Sequence, residues 1–199
     1  MNQKIIYVMI GAAVVSGGIL YASYYPAELA SQFAKTATVY DESIKVSPGK
    51  AIKVAEVIDG DTIVLANGDH LRYIGMDTPE EVDPRKPVQC YAKEAADANR
   101  RLVQGKTIIF YRDVSEHDKY GRWLGYVYLL DGPDAKMNTF VNRTLVRSGF
   151  AFAYNYKPDT SKAALFKTDE TAAKNDHLGL WAHCTVTRLS TGREQTNNL

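Results

Sequence analysis

Asp59-Gly60-Asp61-Thr62, Arg72, Asp77-Thr78-Pro79-Glu80 and Asp118-Lys119-Tyr120-Gly121-Arg122 follow one another in the middle of a 199-residue chain. Asp61 follows a glycine at the mouth of an expected hairpin, and Asp77 ends the third expected strand. Adjacent antiparallel strands bring those two ends together. Carboxylates placed so closely repel unless a cation sits between them. The carbonyl of Thr78 and waters can complete the six or seven oxygen ligands, roughly, of a hard dication. Oxygen donors without His or Cys suit Ca²⁺, with Mg²⁺ second. Glu80 can take a proton from water or hold water in place. Arg72 and Arg122 can fork onto phosphate oxygens and stabilise charge that grows on phosphorus. Tyr154 and Tyr156 can stack on a base or donate to a phosphate. The chemistry implied is phosphodiester hydrolysis.

Each motif also has an ordinary reading. Asp-Gly-Asp is a common turn, and Asp before Thr-Pro often caps the chain. Glu80 beside Glu81 fits a solvated loop. Arg122 can pair with Asp118 on a surface turn, where exposed ion pairs are weak. The two tyrosines can simply pack under a loop.

The elements that must position these residues follow from periodicity. Residues 51–57, with apolar Ile52, Val54 and Val57, read as a strand. Residues 62–65 form a second strand, Asn67-Gly68 a hairpin turn, and 70–74 a third strand. The stretch 81–89 holds Pro84 and Pro87 and reads as a loop. A helix is expected over 91–103 with a small apolar face (Ala92, Ala95, Ala96, Asn99). Strands are expected at 107–111 and 123–130, and helices at 138–148 and 161–175. Gly179-Leu180-Trp181 closes the core. The polar tail 186–199 reads as disordered. The fold class is therefore α+β, mainly a β barrel: five strands in an OB-type barrel with three packed helices.

The chain starts differently. After Lys4 no charge appears before Glu28. Residues 5–25 are apolar and, as a helix, run about 31 Å at about 1.5 Å per residue, matching a hydrocarbon core of about 30 Å. Tyr21, Tyr24 and Tyr25 sit at one end as interfacial aromatics do, and Pro26 stops the helix. We read 1–4 as a short inner flank, 5–25 as a transmembrane helix or signal anchor, 26–49 as a tether and 50–185 as the folded domain. Lys4 favours an inside amino terminus and an extracytoplasmic domain. The alternatives are a secreted protein after signal cleavage and a mitochondrial membrane protein.

Net charge is +1, and residues 50–185 hold 19 Lys+Arg against 19 Asp+Glu. A broad basic footprint, the mark of passive nucleic-acid binding, is absent. Phosphate affinity must come from local placement of charge. Cys90 and Cys184 fit no zinc spacing. Outside the cytoplasm they can form one disulfide; the alternative is two buried thiols.

Five stretches carry a more specific signal: VIDGDTIVL at 57–65, LRYIGMDTPE at 71–80, DKYGRWLGYVY at 118–128, NRTLVRSGFAFAYNYKP at 142–158 and GLW at 179–181. In this order they resemble the staphylococcal nuclease (thermonuclease) family. The resemblance implies an OB barrel with three helices and Ca²⁺-dependent cleavage of DNA and RNA that leaves 3′-phosphate ends. It implies that Asp61, Asp77 and the Thr78 carbonyl hold calcium. Arg72 and Arg122 bind phosphate and stabilise the transition state, and Glu80 is the base or the water-positioning group. Lys119, Tyr120, Tyr154 and Tyr156 contact substrate. The loop 81–89 is poorer in lysine than in the family's best-known member. The membrane segment and the cysteines look like those of exported or anchored relatives. Besides nucleic acid, the bilayer is the only expected partner; no protein partner is expected, and the chain is read as monomeric.

Overall fold

The computed structural model describes residues 45–199 apart from 86 and 132–135. The proposed membrane segment 5–25, its flank 1–4 and most of the tether lie outside the described residues. Among the described residues, no helix is long and apolar enough to cross a membrane.

The element order is β1 (Ala51–Val57), β2 (Thr62–Leu65), β3 (His70–Tyr73), β4 (Met76–Asp77), α1 (Ala92–Val103), β5 (Thr107–Tyr111), β6 (Trp123–Asp131), β7 (Lys136–Phe140), α2 (Val141–Arg147), β8 (Phe152–Ala153), α3 (Ala163–Asn175), α4 (Leu180–His183), β9 (Val186–Arg188) and β10 (Glu194–Thr196). Ile52, Val54 and Val57 of β1 face inward. The apolar spacing slips from two to three after Val54, and the register with β2 shifts between Val54 and Glu56. This is a bulge, which bends the strand as closure of a barrel requires. The Asn67-Gly68 turn joins β2 to β3. Gly68 takes φ 93°, and the Asn67 side chain accepts the Asp69 N–H at 3.1 Å.

β1 pairs antiparallel with β2 and β5, β2 with β3, and β5 with β6. β3 then lies parallel to β6, with Leu71 opposite Trp123 and Arg72 opposite Leu124. This contact closes a five-stranded barrel of OB type. Val54, Ile63, Leu65, Leu71, Ile108, Phe110 and Val127 fill it, and Leu145 of α2 and Phe166 of α3 extend the core. Burying a side chain of this size contributes about 1.5–3 kcal/mol.

Asn142, fully buried at the start of α2, ties the helix to the barrel. Its amide donates to the carbonyls of Ile74 and Gly125 and its oxygen accepts the Val127 N–H. Gly75, at φ +80°, turns the chain from β3 into β4, and an added Cβ would meet the Phe166 ring at 2.2 Å. That turn delivers Asp77 to the barrel mouth, where β4 pairs with β8.

Two expectations are corrected. Residues 138–140 belong to a strand, not to the second helix. They pair with β6, and Phe140 stacks on Tyr128 with ring centroids 4.5 Å apart. Strand pairing and aromatic packing outweigh a short helical pattern. The tail beyond residue 185 is an ordered hairpin of β9 and β10. Its backbone is satisfied by distant groups: Cys90 N–H donates to Asn197 C=O and Leu199 N–H to Val88 C=O. Thr196 Oγ1 donates to Cys90 C=O at 2.8 Å. Cys90 and Cys184 are joined by a disulfide.

Candidate active site

Three local features assemble the barrel mouth. The first is the Asp59-Gly60-Asp61 turn between β1 and β2. Asp61 N–H donates to Asp59 Oδ1 at 2.9 Å. Asn99 of α1 donates to the Asp59 carbonyl at 3.0 Å and accepts the Tyr73 hydroxyl at 3.0 Å. Asn99 is fully buried, so the helix holds the turn from behind. The second feature is the close approach of Gly60 to Thr78, where an added Cβ would lie 2.6 Å from Thr78 Cγ2. Only glycine admits this contact without displacement. Thr78 N–H consequently reaches Asp61 Oδ2 at 3.2 Å. The third is Arg72, brought opposite Thr62 by the β2–β3 register.

Arg72 spans the two aspartates. Its Nη1 lies 2.7 Å from Asp61 Oδ1 and its Nη2 lies 2.9 Å from Asp77 Oδ1. Both carboxylates are buried, with side chains 3 % exposed, whereas Arg72 is 18 % exposed. The ion pair is therefore reachable from solvent through the guanidinium. Burial opposes the charge on Arg72, but Asp61 and Asp77 outweigh it and hold the guanidinium firmly protonated. Burial first, and then the neighbouring Asp61, push Asp59 up to about 7. Burial and Asp61 likewise push Asp77 upward, against Arg193 and Arg72. Burial and the repulsion between neighbouring carboxylates both oppose their ionisation here, and a bound cation would favour it.

The donor set suits a hard dication. The carboxylates of Asp61 and Asp77 and the Thr78 carbonyl are all oxygen donors close in space. Among the described residues, no group of three His, Cys, Asp or Glu side chains is placed to hold a metal. Two carboxylates, a carbonyl and water are what this site can offer.

The remaining predicted residues are held by partners of their own. Glu80 turns its carboxylate onto its own loop, where Oε1 accepts the N–H groups of Val82 and Asp83 at 3.3 and 3.1 Å. Arg122 pairs with Asp118, with Nη2 at 2.6 Å and Nε at 2.7 Å from Oδ2. Asp118 also accepts the N–H groups of Tyr120 and Arg122, so the whole loop is organised on one carboxylate. Tyr120 is 71 % exposed, with Lys119 and Arg122 over its ring at 4.9 and 5.4 Å. Arg85 is paired with Asp83. Tyr154 and Tyr156 meet edge to face, centroids 4.5 Å apart. Burial and then Asp77 raise the Tyr156 phenol, and Arg72 and Arg193 act against them. Tyr156 therefore lies within electrostatic reach of the centre.

Three participants have no local signal in the sequence. Asp59 reads as part of a turn, Asn99 as one more position on a helix face, and Arg193 as part of a polar tail. Arg193 Nε donates to Asp77 Oδ2 at 2.6 Å.

The staphylococcal nuclease homologue family model matches residues 70–183. Endonuclease YncB of Bacillus subtilis (strain 168) is 40 % identical over 136 residues, which are 66 % of this chain and 61 % of that protein. The SPbeta prophage-derived endonuclease YokF of the same strain is also 40 % identical, over 66 % of this chain and 44 % of its own length. The thermonuclease of Staphylococcus hyicus is 36 % identical over 66 % of this chain and 75 % of its own length. The match thus spans less than two thirds of the two Bacillus relatives.

Proposed function

Because the chain belongs to the staphylococcal nuclease family, we propose that its domain is a calcium-dependent endonuclease. It hydrolyses phosphodiester bonds of DNA and RNA with little sequence selectivity. The observation that carries this reading is the buried Asp61–Arg72–Asp77 cluster, in which two carboxylates and the guanidinium that spans them share one partly open mouth.

Asp61, Asp77 and the Thr78 carbonyl would hold calcium, which when bound would supply a Lewis acid for a phosphoryl oxygen. Arg72, relieved of part of its hold on the carboxylates, forks onto the same phosphate. Arg122 falls two residues before Leu124, the partner of Arg72 across the parallel β3–β6 pair. It immediately precedes the first residue of β6, about 7 Å along the chain from Leu124 at about 3.3 Å per residue. That spacing supports a shared phosphate. Glu80, released from its loop amides, takes a proton from the attacking water or holds that water in line. Water adds to phosphorus, the P–O5′ bond breaks, the 5′-oxygen leaves as a hydroxyl with a proton from solvent, and the 3′-phosphate end follows the family resemblance. Lys119, Tyr120, Tyr154 and Tyr156 hold the strand on either side.

The apolar length of 5–25 supports a bilayer anchor with the domain on the extracytoplasmic side, and the Cys90–Cys184 disulfide is consistent with an oxidising compartment. Protease accessibility in intact cells reads this placement directly.

The test of activity uses plasmid DNA and RNA with Ca²⁺, with EGTA, and with the Asp61→Ala variant in Ca²⁺. Cleavage is expected in the first arm alone. Equal cleavage in all three would refute the assignment. No cleavage by folded protein in any arm would favour a non-catalytic binding module.

A further inference from the structure

The C-terminal hairpin lies beyond the residues matched by the family model, which end at 183. Its turn is closed by Gly192 N–H to Leu189 C=O at 2.9 Å and Leu189 N–H to Arg193 C=O at 2.8 Å. Arg193 leaves that turn toward the barrel mouth and binds Asp77 Oδ2, while Arg72 holds Asp77 Oδ1. Both oxygens of one candidate cation ligand are therefore taken by guanidiniums that arrive from different elements. The Arg193 side chain is 31 % exposed against 3 % for Asp77.

Arg193 is not carried by a loose tail. Lys174 of α3 pairs with Glu194 at 3.2 Å. Thr196 is buried on the Cys90 carbonyl, and the disulfide adjoins that contact. The hairpin is thus fastened on both the helix side and the loop side, and Arg193 stays next to Asp77.

Charge at the mouth amplifies the effect. Two buried carboxylates (Asp61, Asp77) face two guanidiniums (Arg72, Arg193). Without Arg193 they face one. A dication arriving at Asp77 must share or displace a charge-assisted hydrogen bond and then sit beside a fixed positive charge. Arg72 has a second task on phosphate. Arg193 does not need one.

We propose that Arg193 is an internal counter-ion that lowers the affinity of the Asp61–Asp77 pair for a divalent cation. The hairpin then sets the cation concentration at which the site fills. This rests on the cation reading above and adds a determinant from outside the matched domain.

The test is calorimetric titration of the full chain, in mild detergent, with CaCl₂ and no substrate. Wild type is compared with Arg193→Gln, Arg193→Lys and Asp61→Ala, and melting curves confirm folding. Removing the charge with Arg193→Gln should tighten the dissociation constant on the order of tenfold, the equivalent of ~1.4 kcal/mol. Arg193→Lys keeps the charge without the planar fork and should fall between Arg193→Gln and wild type. Unchanged or weaker calcium binding by both variants, with Asp61→Ala still abolishing it, would overturn the proposal and leave the cation site standing. Calcium binding absent from wild type and every variant would overturn the cation site and this inference together.

Discussion

Arg72→Lys should lower kcat/KM by about 10²–10³, the range seen when one preorganised donor to a developing oxyanion is lost. Charge is conserved in this substitution, so the loss isolates geometry. The guanidinium now reaches Asp61 and Asp77 at 2.7 and 2.9 Å with two different nitrogens. A single ammonium cannot reproduce that span, nor fork onto two phosphate oxygens. Stability should change little by comparison, because both buried carboxylates keep a cation nearby. Arg72→Ala behaves differently. It leaves two buried carboxylates short of their counter-charge and should cost about 3–5 kcal/mol of folding free energy. Steady-state kinetics on a defined oligonucleotide, read beside melting curves, separates the two effects. Full activity in Arg72→Lys would remove Arg72 from the chemistry.

The second large effect is expected from the disulfide. Cys90 and Cys184 are 94 residues apart in sequence, so their bond closes most of the domain into one loop. Replacing both with alanine should cost about 3–5 kcal/mol, mainly by restoring freedom to the unfolded chain. The double variant should unfold at lower denaturant concentration. Local opening should concentrate where the tail meets residues 88–90, since the Cys90 backbone carries two of its hydrogen bonds. Hydrogen exchange at Thr196 and Asn197 reads this opening. An unchanged midpoint would mean that the tail and α4 are held by their other contacts alone.

Much of the barrel was legible because local signals and tertiary need agree there. Alternation marked β1, the Asn67-Gly68 turn set the β2–β3 register, and the alanine face marked α1. Asp61, Arg72 and Asp77 were legible because their neighbours impose their positions: a glycine turn, a strand, and a strand end before Thr-Pro. The misread parts depend on partners far away in sequence. Residues 138–140 carry a helix-like pattern, yet Phe140 finds Tyr128 and the free edge of β6. The tail is mostly polar, and its order comes from the backbone of 88–90 and from Lys174, which no local pattern reveals. Asn99 illustrates the same limit. Its position on the small face of a helix was visible, but its bond to the Asp59 carbonyl required the fold. The Asp118–Arg122 pair was readable from its spacing. Its counterpart, the approach of Arg122 to a shared phosphate, depends on a substrate that draws it from Asp118.

The most direct measurement is a crystal structure grown in calcium with a short phosphorothioate-linked dinucleotide. One cation is expected about 2.3–2.6 Å from oxygens of both Asp61 and Asp77, with Arg72 turned onto the internucleotide phosphate. A structure at saturating calcium in which Arg72 still joins the two aspartates, with the dinucleotide bound elsewhere, would contradict that expectation.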